Sequence, residues 1–137
     1  MSLSRHQALL AGYINTYILP VSDKPLWWVG SSLEDLRAFP AAARRESGYQ
    51  LRRVQRGLMP DDWKPMASVG QGVCEVRVHT DTEHRVFYVA RFAEAVYVLH
   101  AFEKKARKTS KADISLGKSR LGQVRRARRS TTEGSHD

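Results

Sequence analysis

The sequence predicts an α+β fold in which helices pack against one mostly antiparallel sheet of about four to five strands. Two observations predict this fold. Apolar residues recur at helical spacing before Gly57, whereas the segments after Trp63 are rich in β-branched and aromatic residues and partly alternate. Short turns separate those later segments, which is typical of consecutive antiparallel strands. With 137 residues, of which 42% are hydrophobic and 27% charged, the chain has room for one such domain.

A short strand and two helices open the predicted domain. The apolar run 26–29 ends at a glycine and suits a strand. Residues 31–39 suit a first helix, because a serine pair can cap it and two acids follow in its first turn. Pro40 ends that helix and starts a second one over 41–56, which Gly57 closes. We expect the two helices to form a hairpin that covers one side of the sheet.

Four further strands are predicted, over residues 64–69, 73–79, 85–91 and 96–102. The glycine-containing segment 70–72 joins two of them and does not open a helix, so it is a hairpin turn and not a phosphate-binding loop. The strand after it alternates, which places Cys74, Val76 and Val78 on one face and Glu75, Arg77 and His79 on the other. The last two strands are apolar on both faces, which predicts central positions in the sheet.

A basic helix and two terminal segments complete the chain. The helix is predicted over 113–126, interrupted by Gly117 and Gly122. Residues 1–23 form an N-terminal extension that we expect to be helical, because a capping-box pattern precedes apolar residues at helical spacing. This extension packs on the domain, binds a partner, or is an upstream addition, and its sequence does not choose among these. The folded domain is expected over 24–127 and a disordered tail over 128–137.

The net charge of +9 lies entirely in one segment. Residues 103–129 hold eleven Lys and Arg against two acids, whereas the rest of the chain holds twelve residues of each sign. Such asymmetry indicates a polyanionic partner, most plausibly nucleic acid or an acidic protein surface. The alternative is a solvated tail that only aids solubility.

Several classes of function lack a motif. The single cysteine, Cys74, excludes an internal disulfide and fits a reducing compartment, so we expect a cytoplasmic protein. The five histidines lack a zinc-binding spacing, and we expect neither a metal nor a cofactor. No apolar run is long enough for a membrane span, and no nucleophile elbow for acyl transfer is present.

The remaining signal is a set of cations on neighbouring strands. Arg77 lies in the middle of one strand and Arg85 at the start of the next, and Lys104, Lys105, Arg107 and Lys108 follow the last strand. If they converge on one face, they bind phosphate, and nearby carboxyl and imidazole groups make the same face a candidate site for metal-free RNA cleavage.

Structural roles stay open for several of these residues. Alternatively, Arg77 has a structural role and pairs with Glu75 or Asp35, since buried arginines usually have a partner. His100, among apolar neighbours, is as compatible with a satisfied core histidine as with a catalytic one. His79 and His84 flank an exposed turn, and we expect both to face solvent.

Several motifs in order resemble one known family. The stretches are Lys24-Pro-Leu-Trp-Trp-Val-Gly-Ser-Ser-Leu-Glu-Asp-Leu-Arg, Phe39-Pro, Gly48-Tyr-Gln-Leu, Asp62-Trp-Lys-Pro-Met, Gly72-Val-Cys-Glu-Val-Arg-Val, Arg85-Val-Phe-Tyr-Val-Ala, Val96-Tyr-Val-Leu-His-Ala-Phe-Glu-Lys-Lys and Asp113-Ile-Ser-Leu. From about Lys24 to Val124 the chain resembles the phage-derived HigB-type toxins of the RelE/ParE superfamily.

The resemblance implies a RelE-like sheet and the toxin of a type II toxin–antitoxin pair. The implied partners are a helix-turn-helix, HigA-like antitoxin, the ribosome with its mRNA, and operator DNA reached through the antitoxin complex. RelE-like members cut mRNA in the ribosomal A site without a metal. By matching strands, Arg77 resembles the phosphate-stabilising arginine of those members, and Lys104, Lys105 and Arg107 resemble the basic cluster after their last strand.

The favoured hypothesis is therefore a ribosome-dependent endoribonuclease that inhibits translation. Its candidate catalytic residues are Arg77, Lys105, His100 and Glu75, the last two as proton shuttles, and its candidate RNA-binding residues are Arg85, Lys104, Arg107 and Lys108. Two rivals remain: a ParE-like inhibitor of DNA gyrase without nuclease activity, and an inactive remnant that serves only as a co-repressor with its antitoxin.

Overall fold

The computed structural model describes residues 23–134, with the side chains of residues 23–132. It has five strands and three helices, in the order β1 (Leu26–Trp28), α1 (Ser32–Arg37), α2 (Ala41–Gln55), β2 (Trp63–Pro65), β3 (Val73–His79), β4 (Glu83–Val89), β5 (Val96–Glu103) and α3 (Lys111–Gly134). The α+β class and the basic C-terminal helix are thus confirmed. The predicted helix in residues 1–22 lies outside the described part of the chain.

The strands form one sheet in the order β1-β5-β4-β3-β2. Only β1 pairs in parallel, with β5, and the other three pairings are antiparallel. The two apolar strands β4 and β5 lie in the interior of the sheet, as their two-sided apolar pattern predicts. The sheet has five strands and is mostly antiparallel, which agrees with the prediction.

Helices cover both faces of the sheet, not one. Leu36 and Phe39 near α1, with Leu51 and Val54 of α2, pack on the face that includes Val76, Val78 and Val86. On the opposite face, Leu121 and Val124 of α3 pack against a second cluster that includes Phe87, Val89 and Leu99. This second layer explains why the central strands are apolar on both sides, a pattern that a single helical layer does not require.

The helices and the second strand in the first half of the chain differ in length from the predicted ones. The first helix, α1, has six residues, and Ala38 to Pro40 separate it from α2, so the expected helical hairpin is not confirmed. The second helix ends as predicted, because Gly57 takes a φ of 85° and its amide bonds back to the carbonyl of Val54. The predicted strand 64–69 is shorter: β2 ends at Pro65, and Met66 to Val69 turn back toward the sheet.

The C-terminal helix is longer than predicted. It runs without interruption through both glycines to Gly134, so the residues from Arg128 to Gly134, expected in the disordered tail, are helical. Gly117 has a packing role: a Cβ there would lie 2.9 Å from Val69 and 3.0 Å from Phe87. The glycine therefore allows α3 to approach the sheet closely. Among residues 23–134, no helix combines the length and apolar character needed to cross a membrane.

A bulge in β5 sets which side chains of its second half face α3. Phe87 pairs with His100 while Tyr88 pairs with Val98, so Leu99 is the extra residue. Leu99 and His100 consequently both lie on the α3 side. The face toward α3 thus presents polar groups from the end of β3, the start of β4 and the end of β5 at one end of the sheet.

Candidate functional site

Six charged or ionisable side chains form a closed ring at this end of the sheet. They come from the loop before β2, from β3 and from the start of β4, and the antiparallel register places Arg77 opposite Arg85 and His79 opposite Glu83. The alternation of β3 sends its polar residues to one face, as predicted. The ion-pair ring consists, in order, of Arg77, Asp62, His79, Glu83, Arg85 and Glu75.

Glu75 is the buried member of the ion-pair ring. Its side chain is 1% exposed, and one carboxylate oxygen lies 3.8 Å from Nε of Arg77 and 3.8 Å from Nε of Arg85. Neither oxygen accepts a hydrogen bond. Burial raises the pKa of the Glu75 carboxyl, and the positive charge of Arg85, followed by that of Lys64, opposes the rise. The carboxyl is therefore held by charge attraction without the hydrogen bonds that usually accompany burial.

Arg77 and Arg85 differ in exposure. The Arg77 side chain is 34% exposed and also lies 4.0 Å from a carboxylate oxygen of Asp62. The Arg85 side chain is 5% exposed, donates to Glu83 at 2.9 Å and to the carbonyl of His84 at 3.0 Å. Arg77 is thus the guanidinium that solvent and a ligand reach, while Arg85 lies beneath it.

His79 closes the ion-pair ring on the solvent side. Its Nε2 lies 2.5 Å from Asp62, and its Nδ1 lies 2.7 Å from Glu83. Hydrogen bonding to Asp62, and then to Glu83, raises the pKa of the His79 imidazole. The same contact with His79, followed by that with Arg85, lowers the pKa of Glu83. His79 faces solvent as expected, with its side chain 52% exposed, and both ring nitrogens are nevertheless bound to carboxylates.

The ion-pair ring compensates its own charge. Three groups that carry positive charge when His79 is protonated alternate with three carboxylates. A phosphate that binds Arg77 must therefore compete with Asp62 and Glu75 for the guanidinium. The face is polar and preorganised, and it is less cationic than the sequence alone predicts.

The uncompensated cations lie beside the ion-pair ring, in the loop between β5 and α3. Lys104 is half-buried, its ammonium donates to the carbonyl of Arg107, and its charge acts on Glu75. Lys105, Arg107 and Lys108 are exposed. Lys64 lies across from Glu75 in the β2–β3 register and adds a further positive charge.

His100 lies apart from the ion-pair ring. Its Nε2 lies 2.7 Å from Asp113 at the start of α3, and its ring stacks on Phe102 at 4.7 Å between centroids. The side chain is buried, and its Nδ1 has no hydrogen-bond partner. His100 therefore links β5 to α3. His84, expected to face solvent, is buried with its ring 4.2 Å from that of Phe39, because α1 and the start of α2 cover that face of β4.

The fold brings together part of the site that the sequence predicts. Glu75, Arg77 and Arg85 meet within 4 Å, and Lys104 lies near them. Sequence reasoning missed Asp62, Glu83, Asp113, Lys64 and the engaged state of His79. The alternation of β3 and β4 was enough to predict that Glu83 and His79 are neighbours across the turn. No sequence pattern around Asp62 predicts its contact, because the path of the chain before β2 brings it to the ring.

A family model matches most of this domain. The model of the phage-derived protein Gp49-like family (DUF891) matches residues 34–122, well over half of the chain. The chain belongs to the Gp49-like family. This is a RelE-like toxin family, and such toxins typically pair with an antitoxin. No curated protein matches the sequence significantly.

The Gp49-like match covers the whole ion-pair ring. Asp62 and Arg85, as well as the basic loop that contains Lys104, lie inside residues 34–122. The match excludes β1 and the end of α3, including Arg125 and Arg129. The ion-pair ring therefore lies within the matched region, whereas Trp27 and the end of α3 lie outside it.

Proposed function

We propose that this protein is the toxin of a type II toxin–antitoxin pair and that it cuts RNA without a metal at the ion-pair ring. The single observation that carries the proposal is the position of Arg77. Its guanidinium is the more exposed of the two in a ring that also contains a buried, hydrogen-bond-free carboxylate and a doubly bound imidazole. A phosphate binder, a proton acceptor and a proton donor thus lie together.

The proposed reaction is transfer of the scissile phosphate to the neighbouring 2′-hydroxyl. The 2′-oxygen attacks phosphorus, the bond from phosphorus to the 5′-oxygen breaks, and the products are a 2′,3′-cyclic phosphate and a 5′-hydroxyl. Arg77, joined by Lys105, stabilises the charge that builds on the phosphorane. Lys104, Arg107 and Lys108 hold the RNA chain through its phosphates.

Proton transfer is assigned to Glu75 and His79. When phosphate replaces the carboxylates at Arg77, the Glu75 oxygens become free to accept the 2′-hydroxyl proton, and a raised pKa favours that transfer. The His79 imidazole supplies a proton to the leaving 5′-oxygen, because its two carboxylate partners raise its pKa and so favour the protonated form. Arg85, nearly buried, acts as a positioning residue for Glu75. His100, beside Asp113, is the remaining candidate shuttle.

The family and the resemblance support the proposed partners. We propose that the substrate is mRNA on the ribosome in the cytoplasm, that a HigA-like, helix-turn-helix antitoxin neutralises the toxin, and that the complex binds operator DNA. No metal or cofactor is needed for the proposed step.

Induced expression tests the proposal. Wild-type protein should arrest translation and leave mRNA with new 5′ ends at codon positions. Arg77→Gln should abolish both effects, while Arg37→Gln, which removes an equally charged, exposed side chain from α1, should leave both intact. Arrest with unchanged mRNA ends would reject the nuclease.

One observation favours a second candidate function. Because the ion-pair ring compensates its own charge, it also suits a purely structural network in a ParE-like gyrase inhibitor. In that case the purified protein inhibits DNA supercoiling by gyrase in the absence of ribosomes. Absence of any toxicity, with operator binding retained in the antitoxin complex, would instead select the co-repressor remnant.

A further inference from the structure

Two adjoining grooves lie along the C-terminal half of α3, at the end of the sheet opposite the ion-pair ring. One, of about 530 Å³, is lined by Arg91, Arg125, Arg128 and Arg129 and by Gln71. The other, of about 640 Å³, is lined by Trp27 and Tyr97 together with α3. Arg91 and Gln71 follow β4 and precede β3, whereas the ion-pair ring lies at the other ends of these two strands. The grooves are therefore separate from the proposed catalytic site.

The first groove, here called the arginine groove, holds three guanidinium groups that have no counter-charge among the described residues. Arg91, Arg125 and Arg129 are exposed, and no acidic side chain of the described residues pairs with them. The fourth, Arg128, pairs with Glu94 at 2.7 Å. Three close, like charges repel one another, so they favour an anionic ligand that neutralises them.

The backbone at Gly72 is adapted to the arginine groove. Gly72 has a φ of 85°, and a Cβ on it would lie 2.6 Å from Cδ of Arg91. Only a glycine allows the Arg91 stem to lie this close to the start of β3. The turn predicted at residues 70–72 thus supplies one wall of the groove.

The second groove, here called the aromatic groove, offers an open aromatic face. Trp27 is 61% exposed on the edge strand β1, and its ring centroid lies 6.2 Å from that of Tyr97. Arg128 lines both grooves, and its guanidinium lies 3.9 Å from the centre of the Phe92 ring. The guanidinium of Arg128 therefore lies at the boundary between the two grooves, and the indole of Trp27 lines the aromatic groove.

We propose that these two grooves together bind a single-stranded nucleic acid. Its phosphates bind Arg91, Arg125 and Arg129, and its bases stack on Trp27 and on the guanidinium of Arg128. A positively charged groove beside exposed aromatic rings is the arrangement that binds single strands, because unpaired bases offer free faces for stacking. In a duplex those faces are already stacked, so its bases cannot stack on Trp27. Trp27, Arg125, Arg128 and Arg129 lie outside the matched family region, whereas Arg91 lies inside it.

The test measures binding by fluorescence anisotropy, without ribosomes, to labelled single-stranded RNA and DNA of about 15 nucleotides and to duplex RNA of the same length. The variants are Arg125→Gln with Arg129→Gln, and Trp27→Leu. Their matched controls are Arg37→Gln with Arg56→Gln, which removes the same charge from exposed sites near the other face of the sheet, and Trp63→Leu on the opposite edge strand.

The proposal predicts tighter binding of single strands than of the duplex. The double arginine variant should lose roughly tenfold in affinity and lower the slope of log K against log salt by about 1.4, because each phosphate contact contributes about 0.7 for single strands. Trp27→Leu should lose about tenfold, since stacking on one aromatic residue contributes about 1–3 kcal/mol per base. Both controls should stay within about twofold. Preference for RNA or for DNA identifies which strand is the ligand.

Equal losses in variants and controls, or equal binding of duplex and single strands, would overturn the proposal. The outcome is independent of the cleavage test at the ion-pair ring, because Arg125→Gln with Arg129→Gln and Trp27→Leu leave the side chains of that ring unchanged.

Discussion

The Nε2 atom of His79 lies 2.5 Å from a carboxylate oxygen of Asp62, 17 residues earlier in the chain. The other oxygen of Asp62 lies 4.0 Å from Arg77. One carboxylate before β2 therefore links the imidazole and the partly exposed guanidinium of β3. The contact joins two groups that the proposed reaction needs at the same phosphate.

The His79 contacts predict a pH dependence of stability. Because the pKa of His79 is raised on folding, its stabilising contribution is complete below pH 6.5 and is lost as the pH rises through the folded pKa. His79→Gln should remove this loss, and the effect should stay below about 1 kcal/mol because the side chain is half exposed. Unfolding in guanidinium chloride, repeated at pH intervals from pH 6 upward, measures this pH dependence of the free energy of unfolding. Parallel pH curves for the two proteins would contradict the assignment.

Glu75 and Arg85 should depend on each other. Glu75→Leu leaves Arg85 buried with one carboxylate fewer, so we expect a loss of about 3 kcal/mol in the free energy of unfolding. Replacing both, by Glu75→Leu and Arg85→Met, should recover most of that loss, because apolar packing often substitutes for a buried pair. The double-mutant cycle from chemical unfolding gives the coupling. Additive losses would show that the two side chains do not interact.

The two glycines inside α3 should respond oppositely to alanine. Gly117→Ala places a Cβ against Val69 and Phe87 and should destabilise by about 1 kcal/mol, after subtraction of the gain in helix propensity. At Gly122 the added Cβ meets only the flexible Arg126 side chain, 3.3 Å away, and should stabilise by about 0.5–1 kcal/mol. Thermal unfolding measures both. Changes of the same sign would mean that α3 does not pack on the sheet as described.

His100 and Asp113 should affect folding more than cleavage. Asp113 bonds to His100 and also to Ser110, whose hydroxyl accepts the Asp113 amide at 3.0 Å as a cap of α3. Asp113→Ala should therefore cost about 1–3 kcal/mol of stability. If His79 and Glu75 transfer the protons, the folded variant should keep its cleavage rate and its pH–rate profile. A displaced profile would instead assign the proton transfer to His100.

The sequence was sufficient for β3, β4 and β5 and for the division of β3 into an apolar and a polar face. Alternation in β3 and two-sided apolar segments in β4 and β5 are local patterns, and the register follows from a short turn before Glu83. The approach of Glu75 to Arg77 and Arg85 could be predicted for the same reason.

Other features depend on tertiary packing that local patterns do not encode. The bulge at Leu99 turns His100 toward Asp113, and no residue pattern in β5 predicts this bulge. The position of Asp62 depends on the chain path before β2. The glycines of α3 predicted an interrupted helix, whereas contact with Val69 and Phe87 stabilises a continuous one. The partners of the cations also escaped prediction, so the charge of the site was overestimated.

The most direct test of the account is the rate of RNA cleavage by purified protein on ribosomes carrying a defined mRNA. We expect wild type to produce 2′,3′-cyclic phosphate and 5′-hydroxyl ends, Arg77→Gln to reduce the single-turnover rate by at least about 100-fold, and Arg37→Gln to cut at the wild-type rate. Circular dichroism of the three proteins should be the same, because the Arg77 side chain is partly exposed and its replacement should change the free energy of unfolding little. Cleavage by a folded Arg77→Gln variant at the wild-type rate would contradict the central claim.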